Sequence, residues 1–382
     1  MTFGFGTRQR DLSLRDKFGA ISWGLILVLS LIAGTGCAVL YSAANGHLQP
    51  WATASILRFG IGVLIMLGTA VTDLKFWYRM AYPIYAIGLV LLVLVDASGV
   101  RGLGAQRWLE LGPISLQPSE IMKIGLVMAL ARYFHSRTLE EAGKPLHLVV
   151  PILLFLVPAA LVLKQPDLGT AMMLGLVTLS LFFLVGVRIW MFAVGGFGVL
   201  SLVPVAWRFL RDYQKNRILT FLNPQSDNLG AGYHIVQSEI ALGSGGMWGK
   251  GFMQGTQSHL DFLPEKQTDF IFTMFAEEFG MAGGLVLLAL YGAVLSYGFA
   301  ISMRCRNQFG RLLGLGITSN FFFYVFINIA MVMGLLPVVG VPLPLISYGG
   351  TAMLTLMFGF GLLMNVSIHR DTVIGRRGVL EA

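Results

Sequence analysis

The chain has 382 residues, 55% of them hydrophobic and only 12% charged, with a formal net charge of +8 and a mean hydropathy of +0.73. Soluble domains carry roughly 25% charged residues, so composition excludes an ordinary soluble enzyme and indicates an all-α polytopic membrane protein. The two cysteines, Cys37 and Cys305, sit near opposite membrane faces and cannot pair, which excludes a disulfide framework and a Cys-based metal site.

About 17 to 25 apolar residues cover a bilayer core. The sequence offers ten such spans, near 19–42, 51–72, 80–96, 116–134, 146–163, 168–186, 189–209, 270–298, 314–336 and 350–367. The first is longer than the h-region of a cleaved signal, about 7 to 15 residues, and a second span follows at once. With the N-terminus inside, 16 Lys and Arg fall on inner segments against three, Arg101, Arg107 and Lys164, in short outer loops. Basic residues are held on the cytoplasmic side, so both termini, 1–18 and 368–382, are expected there.

Taken in chain order, the polar residues gather at the outer span ends. Arg58 stands inside the second span. "RGLGAQRWLELGPISLQPSEIMK", 101 to 123, runs from a loop into the fourth span and sets Glu120 and Lys123 at i and i+3, neighbours on one helix face. "KQPDLGTA" puts Lys164, Gln165 and Asp167 at the junction of spans five and six. The one long outer loop, 210–268, carries Arg217 in "YQKNRILTFLN", which has the spacing of an interfacial helix. It continues through "GYHIVQSEIALGSGGMWGKG", a half-apolar helix and a glycine run able to bend back toward the membrane. "FLPEKQTDFIF" then brings Lys266 and Asp269 to the threshold of span eight, with Glu277 and Glu278 two turns deeper. A carboxylate beside hydrocarbon costs kilocalories, which makes it a functional candidate by default.

If these outer ends converge, they enclose a cationic cavity with one or two carboxylates. Forked Arg donors there suit the oxygens of a phosphorylated substrate. Each residue also has a structural reading. Glu120 and Lys123 could be a buried pair that neutralises itself, and Arg101 and Arg107 could be solvated loop charges. Asp167 reads more readily as the N-cap of span six, and Asp269 could cap span eight. His234 reads as a packed residue, because no second His or Cys stands at ligand spacing.

Together with "GTQSHLDFLPEKQTDFIFTMFAEEFG" and "PLPLISYGGTAML", these motifs run in order through nearly the whole chain. They resemble the SEDS family (shape, elongation, division and sporulation), in its elongation branch rather than its division branch. The family usually reads His-Thr-Asp where this chain has Gln267-Thr268-Asp269; a histidine that could orient or titrate the site is therefore missing.

The resemblance implies a single membrane domain that polymerises lipid II into glycan strands outside the cytoplasmic (inner) membrane, during cell elongation and rod-shape maintenance. It implies a class B penicillin-binding protein and other elongation-complex membrane proteins as partners, and no nucleic acid. By motif position Asp269 is the catalytic carboxylate, with general base as its role. Substrate binding is assigned to Arg58, Arg101, Arg107, Glu120, Lys123, Lys164, Asp167, Arg217, Gln237, Ser238, Lys266 and Ser347. An α-linked donor giving a β-linked polymer inverts the anomeric centre, which needs one base and no covalent intermediate. A divalent cation, Mg or Mn, could share the diphosphate, although no ligand set marks its place. Two other classes stay open: a lipid II flippase, which would predict two related halves where no repeat of these motifs is visible, and a non-catalytic scaffold, which leaves the clustered charges unexplained.

Overall fold

The computed structural model describes residues 13–102, 105–111, 114–138, 141, 143–209, 212–223, 231–259 and 266–375. A short helix α1 (Leu14–Gly19), closed by a Ser13–Asp16 capping box, precedes three long apolar helices, α2 (Trp23–Ala43), α3 (Trp51–Val71) and α4 (Leu74–Ser98). The segment expected to be a plain loop instead forms an antiparallel meander: β1 (Val100–Gly102), β2 (Ala105–Leu111) and β3 (Ile114–Leu116). Arg101 pairs with Gln106 and Glu110 with Ser115. Helices α5 (Pro118–His135), α6 (Pro145–Lys164), α7 (Leu168–Val185) and α8 (Ile189–Phe209) follow. The long loop contributes α9 (Asp212–Leu222), α10 (Ala231–Ser244) and α11 (Thr256–His259) before α12 (Ile271–Arg304), α13 (Gln308–Val332) and α14 (Gly350–Ile368).

Among the described residues, eight helices are long and apolar enough to cross a membrane: α2, α3, α4, α6, α7, α12, α13 and α14. The other two expected spans, α5 and α8, are helical too, α8 over 21 residues. Helix α5 carries Glu120, Lys123 and Arg132, and every one of its residues except Ile121 and Arg132 is buried. A helix enclosed by protein on all sides has no lipid face to keep apolar. It packs against α4, α7 and α13 at the centre of the bundle.

Helix α12 is broken at Gly280, whose φ of 65° and ψ of −166° lie outside helical space. A helix interrupted at membrane depth must have its freed backbone groups satisfied from elsewhere. The glycine run before α11 does this. Lys250 and Gly251 donate their N–H groups to the carbonyls of Glu277 and Glu278, both at 3.0 Å, while Met281 and Ala282 donate to Gly246 and Met247 at 2.9 and 3.0 Å. A Cβ at Gly249 would fall 2.1 Å from the Glu278 carbonyl oxygen. The two deep carboxylates serve the same joint. Glu277 Oε1 accepts from Lys250 Nζ at 2.7 Å and from the N–H groups of Thr256 and Gln257 at 2.9 and 3.1 Å. Ser42 Oγ donates to Glu278.

The segment between α13 and α14, 333–349, is not helical and folds back into the bundle. It is gripped by close backbone approaches: a Cβ at Gly36 of α2 would lie 2.6 Å from the Leu345 carbonyl oxygen, and one at Gly169 of α7 would lie 2.6 Å from that of Val339. This inserted segment forms one wall of the site.

Candidate active site

Asp269 stands two residues before α12. The N-cap position of that helix falls on Phe270, so Asp269 stands one residue ahead of it. Its strap is held by three successive carbonyls. Tyr348 N–H donates to Gln267 O at 2.8 Å, Ser347 Oγ donates to Thr268 O at 2.6 Å, and Asn328 Nδ2 donates to Asp269 O at 3.0 Å. Because these bonds use the backbone of 267–269, the register of the strap does not depend on the side chain at 267. Gly340, with φ +75°, comes close on another side: a Cβ there would lie 3.4 Å from Asp269 Oδ2.

A cavity of about 300 Å³ opens beside this strap, with Asp269, Arg107 and Asp167 on its walls together with Trp108, Gln117 and Thr351. The meander delivers Arg107, whose Nη2 donates to Pro166 O and whose Nε lies 3.9 Å from Asp167 Oδ2. Asp167 does two jobs. It caps α7, accepting from Thr170 N at 3.2 Å and Thr170 Oγ1 at 2.9 Å, and it turns Oδ2 toward Arg107 and toward Gln117 Nε2 at 3.5 Å. Arg58 of α3 stacks on Tyr348, its Cζ 4.6 Å from the ring centroid, and Nη2 donates to the Tyr348 hydroxyl at 3.2 Å. Two guanidinium groups and two carboxylates thus gather in and around one cavity, where cations can hold an anionic group while a carboxylate takes up a proton.

The other expected residues fall elsewhere. Lys123 and Glu120 form a buried ion pair at 2.7 Å, hydrogen-bonded to Tyr324 with Thr355 Oγ1 donating to Glu120 at 3.3 Å; neither lines the cavity. Lys164 pairs with Asp96 at an exposed position. Ser238 is buried in a knot with Thr273 Oγ1 and the Val332 carbonyl. Gln237 is half-buried on α10 and Lys266 is buried. His234 packs near the rings of Tyr233 and Phe270. Arg101 lies on β1 and Arg217 on α9, but both side chains are outside the described ones.

Sequence reasoning did not single out Asn328, Tyr348, Trp108, Gln117 or Thr351. Asn328 carried a usable signal, as one of two amides, with Asn320, inside an apolar span. Gln117 and Tyr348 stood inside motifs already recognised, without a pattern that marked them.

A bundle of membrane-crossing helices around a carboxylate and guanidinium cavity defines a polytopic membrane protein with an enzyme-like site. Residues 18–372 match the FtsW, RodA and SpoVE family of cell cycle proteins, and the chain belongs to that family. It is 43% identical to the peptidoglycan glycosyltransferase MrdB of Escherichia coli K12, over 91% of this chain and 93% of that protein. It is 36% identical to the probable peptidoglycan glycosyltransferase FtsW of Trichlorobacter lovleyi, over 93% and 95% of the two chains. The fold superposes with TM-score 0.80 and 32% identity on a chain solved in a peptidoglycan synthase complex that coordinates polymerization and crosslinking, covering 92% of this chain and 98% of that one. It superposes with TM-score 0.70 and 28% identity on the Thermus thermophilus rod shape determining protein RodA, covering 92% and 98%.

Proposed function

We infer that this chain is a peptidoglycan glycosyltransferase of the elongation type, polymerising lipid II into glycan strands. The observation that carries the reading is the presence of Asp269, Arg107 and Asp167 on one cavity, with Arg58 stacked on its wall. Asp269 is the general base. Its carboxylate accepts the proton of the acceptor sugar's 4-hydroxyl while that oxygen bonds to the donor's anomeric carbon. The bond from that carbon to phosphate breaks, and its electron pair leaves with undecaprenyl diphosphate. Arg107 and Arg58 stabilise the charge that develops on the diphosphate, the service preorganised cations perform in phosphate chemistry. The anomeric centre inverts, so the second carboxylate, Asp167, has no nucleophilic duty. It orients Arg107.

The chain is one membrane domain of ten spans in the inner membrane, with 1–18 and 368–382 in the cytoplasm and 210–268 outside. The excess of Lys and Arg on the inner segments supports this orientation, which turns the Asp269 cavity outward. The partner is a class B penicillin-binding protein acting as transpeptidase within the elongation complex. The small residues of "GMAGGLVLLALYGAVLSYG" in α12 permit close approach of a single partner helix. Among the described residues no three His, Cys, Asp or Glu side chains converge to hold a metal. A divalent cation, if used, would draw most of its ligands from diphosphate oxygens and water, the usual habit of Mg.

Incubating the purified protein with lipid II tests the reading. Glycan polymer is expected, lost in Asp269→Asn while lipid II binding persists. The partner should co-purify in mild detergent and raise the rate. Movement of labelled lipid between leaflets without polymer would favour a flippase, and neither activity would favour a scaffold.

A further inference from the structure

The first turn of α14 lies open to the cavity, with Gly349, Gly350, Thr351 and Ala352 all on its wall. The N-cap, Gly349, makes no side-chain capping bond, and the leading N–H groups of a helix have no acceptor within it. Thr351 is 4% exposed, and its hydroxyl has no hydrogen-bond partner. Beside it, Arg58 Nη1 is buried and likewise without an acceptor. The guanidinium reaches the turn because residue 350 is glycine: a Cβ there would stand 3.3 Å from Arg58 Cζ. Buried polar groups are nearly always paired, so two orphans at one helix start, on one cavity, point to a ligand rich in acceptors. A helix N-terminus with such donors suits phosphate.

We propose that the first turn of α14, with Thr351 Oγ1 and Arg58 Nη1, seats the diphosphate of the polyprenyl-linked glycosyl donor. The proposal rests on the polymerase reading and gives its leaving group a place. As the bond between the anomeric carbon and phosphate breaks, negative charge grows on the diphosphate. The turn's N–H groups, the threonine hydroxyl and the guanidinium are already aimed, so their stabilisation needs no reorganisation. Asp269 lies on the same cavity, beside Gly340, where it meets the acceptor hydroxyl.

Direct binding of undecaprenyl diphosphate and of undecaprenyl monophosphate to the purified full chain tests this. Thr351→Val keeps shape but removes the hydroxyl, and it should weaken diphosphate binding about tenfold, as expected for a hydrogen bond to a charged group. The monophosphate should bind less tightly from the start and change less. Thr351→Ser should restore diphosphate binding. Removing an unpaired buried hydroxyl does not cost stability, so the valine variant should melt no lower than wild type. Undiminished diphosphate binding by the valine variant, or equal losses for both lipids, would overturn the seat. The polymerase reading is judged separately: wild type that binds undecaprenyl diphosphate yet makes no polymer would sink that reading, whereas Asp269→Asn should lose turnover and keep binding.

Discussion

The side-chain amide of Asn328 donates to the Asp269 carbonyl at 3.0 Å and to the Val341 carbonyl at 2.8 Å. One residue in the C-terminal half of α13 therefore ties the strap bearing the carboxylate to the inserted segment that walls the cavity. Replacing Asn328 with alanine leaves both carbonyls without that donor and lets the strap drift. A displacement of about 1 Å at a reacting group costs on the order of a hundredfold. The expected result is a fall in kcat of roughly ten- to a hundredfold with KM changed little. Steady-state kinetics on lipid II would check this; a pure rise in KM would show that Asn328 serves binding rather than placement of Asp269.

Glu120 and Lys123 make a second prediction. Both are almost fully buried and pair at 2.7 Å beneath Tyr324. Removing one partner strands a charge, which costs about 3–5 kcal/mol, whereas replacing both with apolar groups of similar volume is often neutral. Glu120→Ala should lower the melting temperature strongly, and the double variant Glu120→Leu, Lys123→Met should recover most of the loss. If the double variant folds but makes no polymer, the pair also serves the reaction; if it is active, the pair is structural.

The legible part of the molecule was local. Apolar runs marked the helices, an i, i+3 spacing paired Glu120 with Lys123, and the Pro-Asp start of α7 gave Asp167 as a cap, which it is. Placement at span ends predicts a convergence of Arg58, Arg101, Arg107, Lys123, Lys164 and Arg217 on Asp269, of which Arg58 and Arg107 are seen in and around the cavity, with Asp167. What could not be read depended on packing between distant segments. Lys164 chooses Asp96, 68 residues away, over the cavity, and Ser347 reaches back 79 residues to Thr268. Strand β2, "AQRWLEL", shows no clean apolar–polar alternation to mark it as a strand, and Thr351 is one hydroxyl in an apolar run.

The break in α12 predicts sharp discrimination among glycines. Gly280 has a backbone conformation open almost only to glycine, and a Cβ there would meet Gly249 N at 2.3 Å. Gly280→Ala should destabilise by about 1–3 kcal/mol from strain alone. Gly284, one turn on, has its nearest neighbour at 4.0 Å, so Gly284→Ala should melt at or above the wild-type temperature. Thermal unfolding in detergent compares them. Equal behaviour of the two variants would mean that α12 runs unbroken through Gly280.

Arg107 and Asp167 separate charge from shape. Arg107 uses two edges of its guanidinium, one on the Pro166 carbonyl and one facing Asp167 at 3.9 Å. Lysine keeps the positive charge but cannot hold both from one planar fork. Arg107→Lys should therefore raise KM for lipid II several-fold, and Arg107→Ala more, about tenfold or beyond for a lost charge-assisted contact. Asp167→Asn is the complementary change. Asparagine caps a helix about as well as aspartate, so the variant should melt near the wild-type temperature, while Asp167→Ala loses the bond to Thr170 and about 1 kcal/mol with it. If capping were all that Asp167 does, Asp167→Asn would also keep its wild-type KM. The geometry predicts otherwise, because without the carboxylate's charge Arg107 is held only from the Pro166 side and is free to turn out of the cavity. Measuring KM and melting temperature on the same four variants separates these roles. A raised KM at unchanged stability in Asp167→Asn assigns Asp167 to the orientation of Arg107, and an unchanged KM leaves it a cap.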